Sequence, residues 1–121
     1  MPHLRLEYST NIKEALDSKE LFSACHHILV DTANADLFRC QSRAIPHDLF
    51  HIGDGAMEEA FIYLEVLLLE GRSLAQLEKM EAEILNVLES YFSRSIQELN
   101  LQIAVRVVEF SPSHYLKKEF K

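Results

Sequence analysis

The sequence predicts an α+β subunit in the order β-α-β–β-α-β, two strand–helix–strand units sharing one sheet with both helices on one face. Three observations carry that expectation. Apolar and polar residues alternate at Leu4-Arg5-Leu6-Glu7-Tyr8 and again over Leu101–Val107, the period of strands that bury one face. A glycine turn, His51-Ile52-Gly53-Asp54-Gly55, divides the chain into halves of similar order. Crossovers long enough to contain a helix favour parallel pairing within each half and right-handed connections. The 121 residues are the length of one domain, 1–121, with a pseudo-repeat of about 2–52 and 59–111.

Taken in order, the first strand spans His3 to Ser9. Two helix starts follow, Asn11 and Asp17, each with an acid three residues on. Leu21, Phe22, Cys25, Ile28 and Leu29 recur at helical spacing and favour the second. Asp31 to Asp36 is small and polar, the composition of a loop, and a second strand is expected over Arg39–Ile45, limited by Pro46. Ala60–Leu69 is apolar at nearly every position, which predicts cover on both faces. Gly71-Arg72 ends it, and Ser73-Leu74-Ala75-Gln76 is a capping box. The helix it opens has a stripe of Leu74, Leu77, Ile84, Leu88, Tyr91 or Phe92, and Ile96. The last strand, Leu101–Val107, is broken at Ser111-Pro112-Ser113, leaving a short tail from Tyr115 to Lys121. With both helices on one face, the third and fourth strands are too apolar for an open second face, which predicts an oligomer.

Composition narrows the function. Nineteen acidic against 12 basic side chains give a formal charge of −7, which disfavours nucleic acid and membrane surfaces as partners. Apolar runs such as Val66–Leu69 are far short of the ~20 residues of a membrane span. Met1-Pro2-His3-Leu4-Arg5 has no apolar signal core, and the expectation is a soluble, cytoplasmic protein. Cys25 and Cys40 form no disulfide framework and no C-x-x-C element. Adjacent His26 and His27 diverge by about 100° on a helix and cannot converge on one ion. His47 and His51 lie in a segment that Pro46 and Gly53 make a poor helix, so no metal is expected. Phosphate-loop, dinucleotide, zinc-protease and serine-hydrolase motifs are absent from the sequence.

Three features could carry chemistry. Removal of Met1 ahead of the small Pro2 would start the chain with a secondary amine at the edge of the core. An α-amino group titrates near ~8, and burial or nearby cations would leave it a neutral base at physiological pH. Arg72 stands between a buried strand and a helix N-cap, where a cation and free amides can face an anion. Arg39, Gln41 and Arg43, at a period of two, would project from one face of the second strand. A solvated edge guarded by charge explains that row nearly as well.

With Met1-Pro2-His3, Asn11-Ile12, Ser42-Arg43, Gly71-Arg72-Ser73-Leu74, Ser111-Pro112 and Phe120-Lys121 in this order, the sequence resembles the 5-carboxymethyl-2-hydroxymuconate isomerase family of the tautomerase superfamily. The resemblance covers essentially the whole chain. It implies a tautomerase-like subunit, a homotrimer, and catalysis by the amino-terminal proline without cofactor or metal. The substrate class it implies is a small carboxylate of 2-hydroxymuconate type, met in the breakdown of homoprotocatechuate, with the unsaturated 2-oxo isomer as product. By position it makes Pro2 and Arg72 catalytic and Arg43, Arg39 and Gln41 substrate-binding. Family members tend to show Arg-x-Arg where this chain has Gln41-Ser42-Arg43, so one expected charge is missing and Arg39 is the nearest substitute. Two alternatives stay open: action on another carboxylate by dehalogenation or decarboxylation, or a non-catalytic trimeric binding protein.

Overall fold

A computed structural model describes residues 1–120; Lys121, the last residue of the expected tail, lies outside the described residues. Four strands form one mixed sheet in the order β2-β1-β3-β4, from β1 (His3–Ser9), β2 (Gln41–His47), β3 (Glu59–Leu69) and β4 (Asn100–Phe110). Both outer pairs, β1 with β2 and β3 with β4, are parallel; β1 and β3 join the two halves antiparallel at the centre. The parallel pairs are bridged by α1 (Ser18–Ala33) and by α2 (Leu74–Tyr91) with a short α3 (Ser93–Glu98). The β-α-β–β-α-β order expected from the sequence is therefore the fold.

Alternation decides which face each residue serves. Leu4 and Leu6 of β1 and Ala60, Ile62, Leu64, Val66 and Leu68 of β3 are buried on the helix side. Leu21, Cys25 and Leu29 of α1 and Leu77, Met80, Ile84 and Leu88 of α2 close over them. Burial pushes the Cys25 thiol up to about 12, so it is an inert core group. On the opposite face β3 carries Phe61, Tyr63, Leu67 and Leu69, half buried, and among the described residues no helix covers them. The continuous apolar run thus has only one face buried by its own chain. Glu65, on that same open face, is 7% exposed and held by Arg5 at 3.0 Å and by the Tyr63 hydroxyl at 2.9 Å.

The local signals at helix starts are as expected. Asp17 caps α1 by accepting from the Glu20 amide, and Ser73 and Gln76 form the capping box of α2. Elsewhere the structure corrects the sequence reading. The expected loop at Asp31 begins later, because α1 runs to Ala33 and ends at Asn34, whose φ of 54° makes a left-handed cap. The second strand is Gln41–His47 rather than Arg39–Ile45, and it passes through Pro46. Gln41 donates to Pro2 and His47 accepts from Thr10, so odd-numbered amides of β2 face β1. Pro46 therefore places its missing donor on the open edge, where nothing is lost. Arg39 belongs to a separate 3-10 turn, Leu37–Arg39, and so does not share a strand face with Gln41 and Arg43.

The second helix does not continue to Ile96. It ends at Tyr91, and the chain turns at Phe92 into α3. Leu74 is 71% exposed and Ile96 44%, so neither belongs to the buried stripe; Met80 and Phe92, fully buried, do. Glu14 explains the break: its carboxylate accepts from the Arg94 and Ser95 amides and the Ser95 hydroxyl, giving α3 the N-terminal partner that no side chain of its own supplies. The last strand is longer than expected, Asn100–Phe110, and ends in a 3-10 turn, Pro112–His114.

Candidate active site

The sheet topology brings one set of ends together. β1 and β2 begin where β3 and β4 finish, since His3 pairs with both Gln41 and Leu67, and Leu67 with Val108. Pro2 is buried at this end, and its carbonyl accepts from the Gln41 amide at 3.1 Å. The chain's amino group, on Met1, donates to the Arg39 carbonyl at 2.8 Å. Partial burial lowers its pKa from the ordinary α-amino value; the Lys117 and Arg39 cations add to this, while Cys40 and Glu119 oppose it.

A polar chain runs from β2 across β1 to the C-terminal segment. Arg43 donates to Gln41 Oε1 at 3.4 Å and to His3 Nδ1 at 3.2 Å, and His3 Nε2 meets the Tyr115 hydroxyl at 3.2 Å. Because guanidinium can only donate, His3 Nδ1 is the acceptor and Nε2 carries the proton towards Tyr115. Burial, then Arg43 and the amino terminus, holds the His3 pKa below its ordinary value, consistent with a neutral ring. Arg39 is engaged differently: its guanidinium pairs with Asp36 and, through two nitrogens, with Glu119 at 2.8 and 3.2 Å.

Arg72 sits at the same end of the sheet, after Leu69 and ahead of the Ser73 cap. Its Nε donates to the Ala33 carbonyl at 2.9 Å and one terminal nitrogen to the Leu69 carbonyl at 3.0 Å. The last turn of α1 contains no basic residue, so Arg72 supplies the cation that its C-terminal carbonyls favour. Replacing Arg72 by Ala is expected to cost about 2 kcal/mol of stability, the scale of charge-assisted hydrogen bonds lost from two carbonyls. Urea unfolding reads this as a lower midpoint at unchanged slope; an unchanged midpoint would mean these bonds contribute nothing net.

Pro2, Arg39, Gln41 and Arg43 are thus gathered around the amino terminus, while Arg72 reaches this end from β3 with two of its nitrogens committed to backbone. The sequence reading passed over His3, Tyr115, Lys117 and Glu119. Their signal was available in the topology: a tail leaving β4 at Phe110 emerges at the end of the sheet where β1 begins, one strand away from it. Three of the histidines weighed as metal ligands are engaged separately. His26 Nε2 bonds to Ser42 Oγ at 2.5 Å and His27 Nδ1 to the Ser23 carbonyl at 2.8 Å, while His47 pairs with Glu7. Among the described residues no group of three or more His, Cys, Asp and Glu is placed to hold a metal ion, and no helix is long and apolar enough to cross a membrane.

The family model described as 5-carboxymethyl-2-hydroxymuconate isomerase matches residues 2–120. The chain belongs to this family. A relative from Escherichia coli, 5-carboxymethyl-2-hydroxymuconate Delta-isomerase, is 25% identical over 118 residues, 98% of this chain and 94% of that protein. The crystal structure of a 5-carboxymethyl-2-hydroxymuconate isomerase from Deinococcus radiodurans R1 superposes with a TM-score of 0.89 at 24% identity, covering 98% of this chain and 90% of that one. A fused 4-OT described as a symmetric trimer gives a TM-score of 0.71 at 14% identity, over 92% of this chain and 87% of that one. The fold is that of the tautomerase superfamily, and the isomerase family match makes the chain an enzyme.

Proposed function

We propose that this isomerase-family chain converts a 2-hydroxymuconate-type dienol acid, such as 5-carboxymethyl-2-hydroxymuconate, to its unsaturated 2-oxo isomer, with Pro2 as the acid and base once Met1 is removed. The observation that carries the proposal is the place of the amino terminus: partly buried, beside Arg39 and Lys117, and made less basic by burial and by those cations. Loss of Met1 moves the amine one residue inward, to a position that is buried. In its neutral form the proline nitrogen takes the proton of the 2-hydroxy group, and as an ammonium it returns a proton to a distal carbon of the conjugated system. The chemistry is a proton relay that calls on no cofactor or metal.

Arg43 and Arg39 supply charge for the substrate carboxylates, and Gln41 an uncharged hydrogen-bonding group between them. Arg72, anchored through two nitrogens, keeps its remaining terminal nitrogen to polarise the developing 2-oxo group. The unit is proposed to be a homotrimer, because β3 leaves Phe61, Tyr63, Leu67 and Leu69 on a face that its own helices do not cover. The family relationship supports a cytoplasmic enzyme of aromatic-acid catabolism.

Ketonisation of the dienol, followed by ultraviolet absorbance, tests the proposal. Protein whose intact mass shows loss of Met1 is expected to accelerate it, and a version with an N-terminal extension is expected to be inactive. Equal rates from the two would overturn the role of Pro2. Sedimentation equilibrium on the same sample is expected to give the mass of three chains; a monomer would remove the trimer.

A further inference from the structure

A carboxylate already stands in the cleft beside the amino terminus. Glu119, in the segment after β4, accepts from Arg39 Nε at 2.8 Å and from an Arg39 terminal nitrogen at 3.2 Å. Lys117 Nζ lies 3.0 Å from the same carboxylate. Arg39, Gln41, Lys117, Lys118, Glu119 and Phe120 line a cavity of about 570 Å³, room for a small organic acid. Asp36 takes the other terminal nitrogen of Arg39 and so fixes how the guanidinium is turned.

We propose that Arg39 and Lys117 form a substrate-carboxylate subsite and that Glu119 is its resident occupant, displaced when an organic dicarboxylate binds. The inference rests on the proposed function for the identity of that dicarboxylate, and on the cleft's own geometry for the rest. Two-nitrogen engagement by Arg39 is the fork geometry with which arginine recognises any carboxylate. Both Arg39 and Glu119 are about half exposed, so the pair is held in water and exchanges readily. Lys117 brings from the C-terminal segment the second cation that Gln41 does not provide on β2. Arg39 and Lys117 also act on the amino terminus electrostatically, which places the subsite within reach of the proposed base. With Glu119 neutralised, Arg39, Lys117 and Lys118 would face only Asp36, and the cleft would become more cationic.

The experiment is a titration of the mature protein with glutarate, read by amide chemical shifts, in wild type, Glu119→Gln and Lys117→Gln. Removing the internal competitor is expected to tighten glutarate binding about three- to five-fold, the factor an exposed ion pair commands, and removing the lysine to weaken it by a similar factor. The KM for the dienol should move with the glutarate Kd in both variants. Unchanged or weaker binding by Glu119→Gln overturns the occupant, and unchanged binding by Lys117→Gln overturns the subsite. Failure of the functional reading looks different: wild type would not turn over the dienol, while the glutarate titration would still give its answer.

Discussion

Pro2→Ala in the mature chain is expected to lower kcat/KM for the dienol by about 10²- to 10⁴-fold, the usual worth of a positioned general acid–base. Alanine at this position still permits removal of Met1, so an amine remains at the end of β1 and only its nature and placement change. The pyrrolidine ring ties the nitrogen to its own buried side chain, whereas an alanine amine turns freely about one bond. The wild-type pH profile checks the same assignment. Burial, and then the neighbouring cations, lower the pKa of the Met1 amine from the ordinary α-amino value near ~8, and the Pro2 amine one residue inward is expected to shift in the same direction. A base must be neutral to act. The rate therefore falls as pH drops through the lowered pKa and is flat above it, and the midpoint of that acid limb is expected below 8. A midpoint at or above 8, or an alanine variant as fast as wild type, would remove Pro2 from the reaction.

The parts of this fold legible in the sequence are those fixed by local chemistry. The limits of β1, the Asp17 and Ser73 caps and the parallel pairing within each half follow from alternation, side-chain oxygens and crossover length. What was not legible depended on distant residues. Pro46 limits a strand only if its missing donor faces a neighbour, and which way it faces is set by the register of β2 on β1. The end of α2 at Tyr91 depends on Glu14, some 80 residues away, receiving the amides of α3. At the candidate site, the positions of Pro2, Gln41 and Arg43 in the fold could be read because they lie on or beside strands with clear alternation. Arg39 could not, since its turn is set by the Asp36 side chain accepting from Phe38. The C-terminal groups escaped because segments without periodicity give no sign of what they touch.

Phe92→Ala is expected to cost about 3–5 kcal/mol, the range for truncating a fully buried phenylalanine. Phe92 is fully buried at the junction where α2 ends and α3 begins, with its ring edge-on to Tyr91 at 4.9 Å. Its backbone also serves both helices, donating to the Leu88 carbonyl at 2.9 Å and accepting from the Ile96 amide at 3.0 Å. Truncation leaves a void that neither helix can close, because α3 is held from its other side by Glu14. Leu74→Ala supplies the contrast. Sequence periodicity puts Leu74 and Phe92 on one stripe, but Leu74 is 71% exposed, and its loss is expected to change stability by less than about 0.5 kcal/mol. Guanidinium unfolding at one fixed protein concentration measures both, since the proposed assembly would make the midpoint depend on concentration. Similar losses for the two variants would show that the stripe, rather than the turn at Phe92, organises this half of the core. A large loss for Phe92→Ala alone means that the chain's reversal into β4 hangs on one ring. The fourth strand and the tail that carries Lys117 and Glu119 to the cleft follow directly from that reversal.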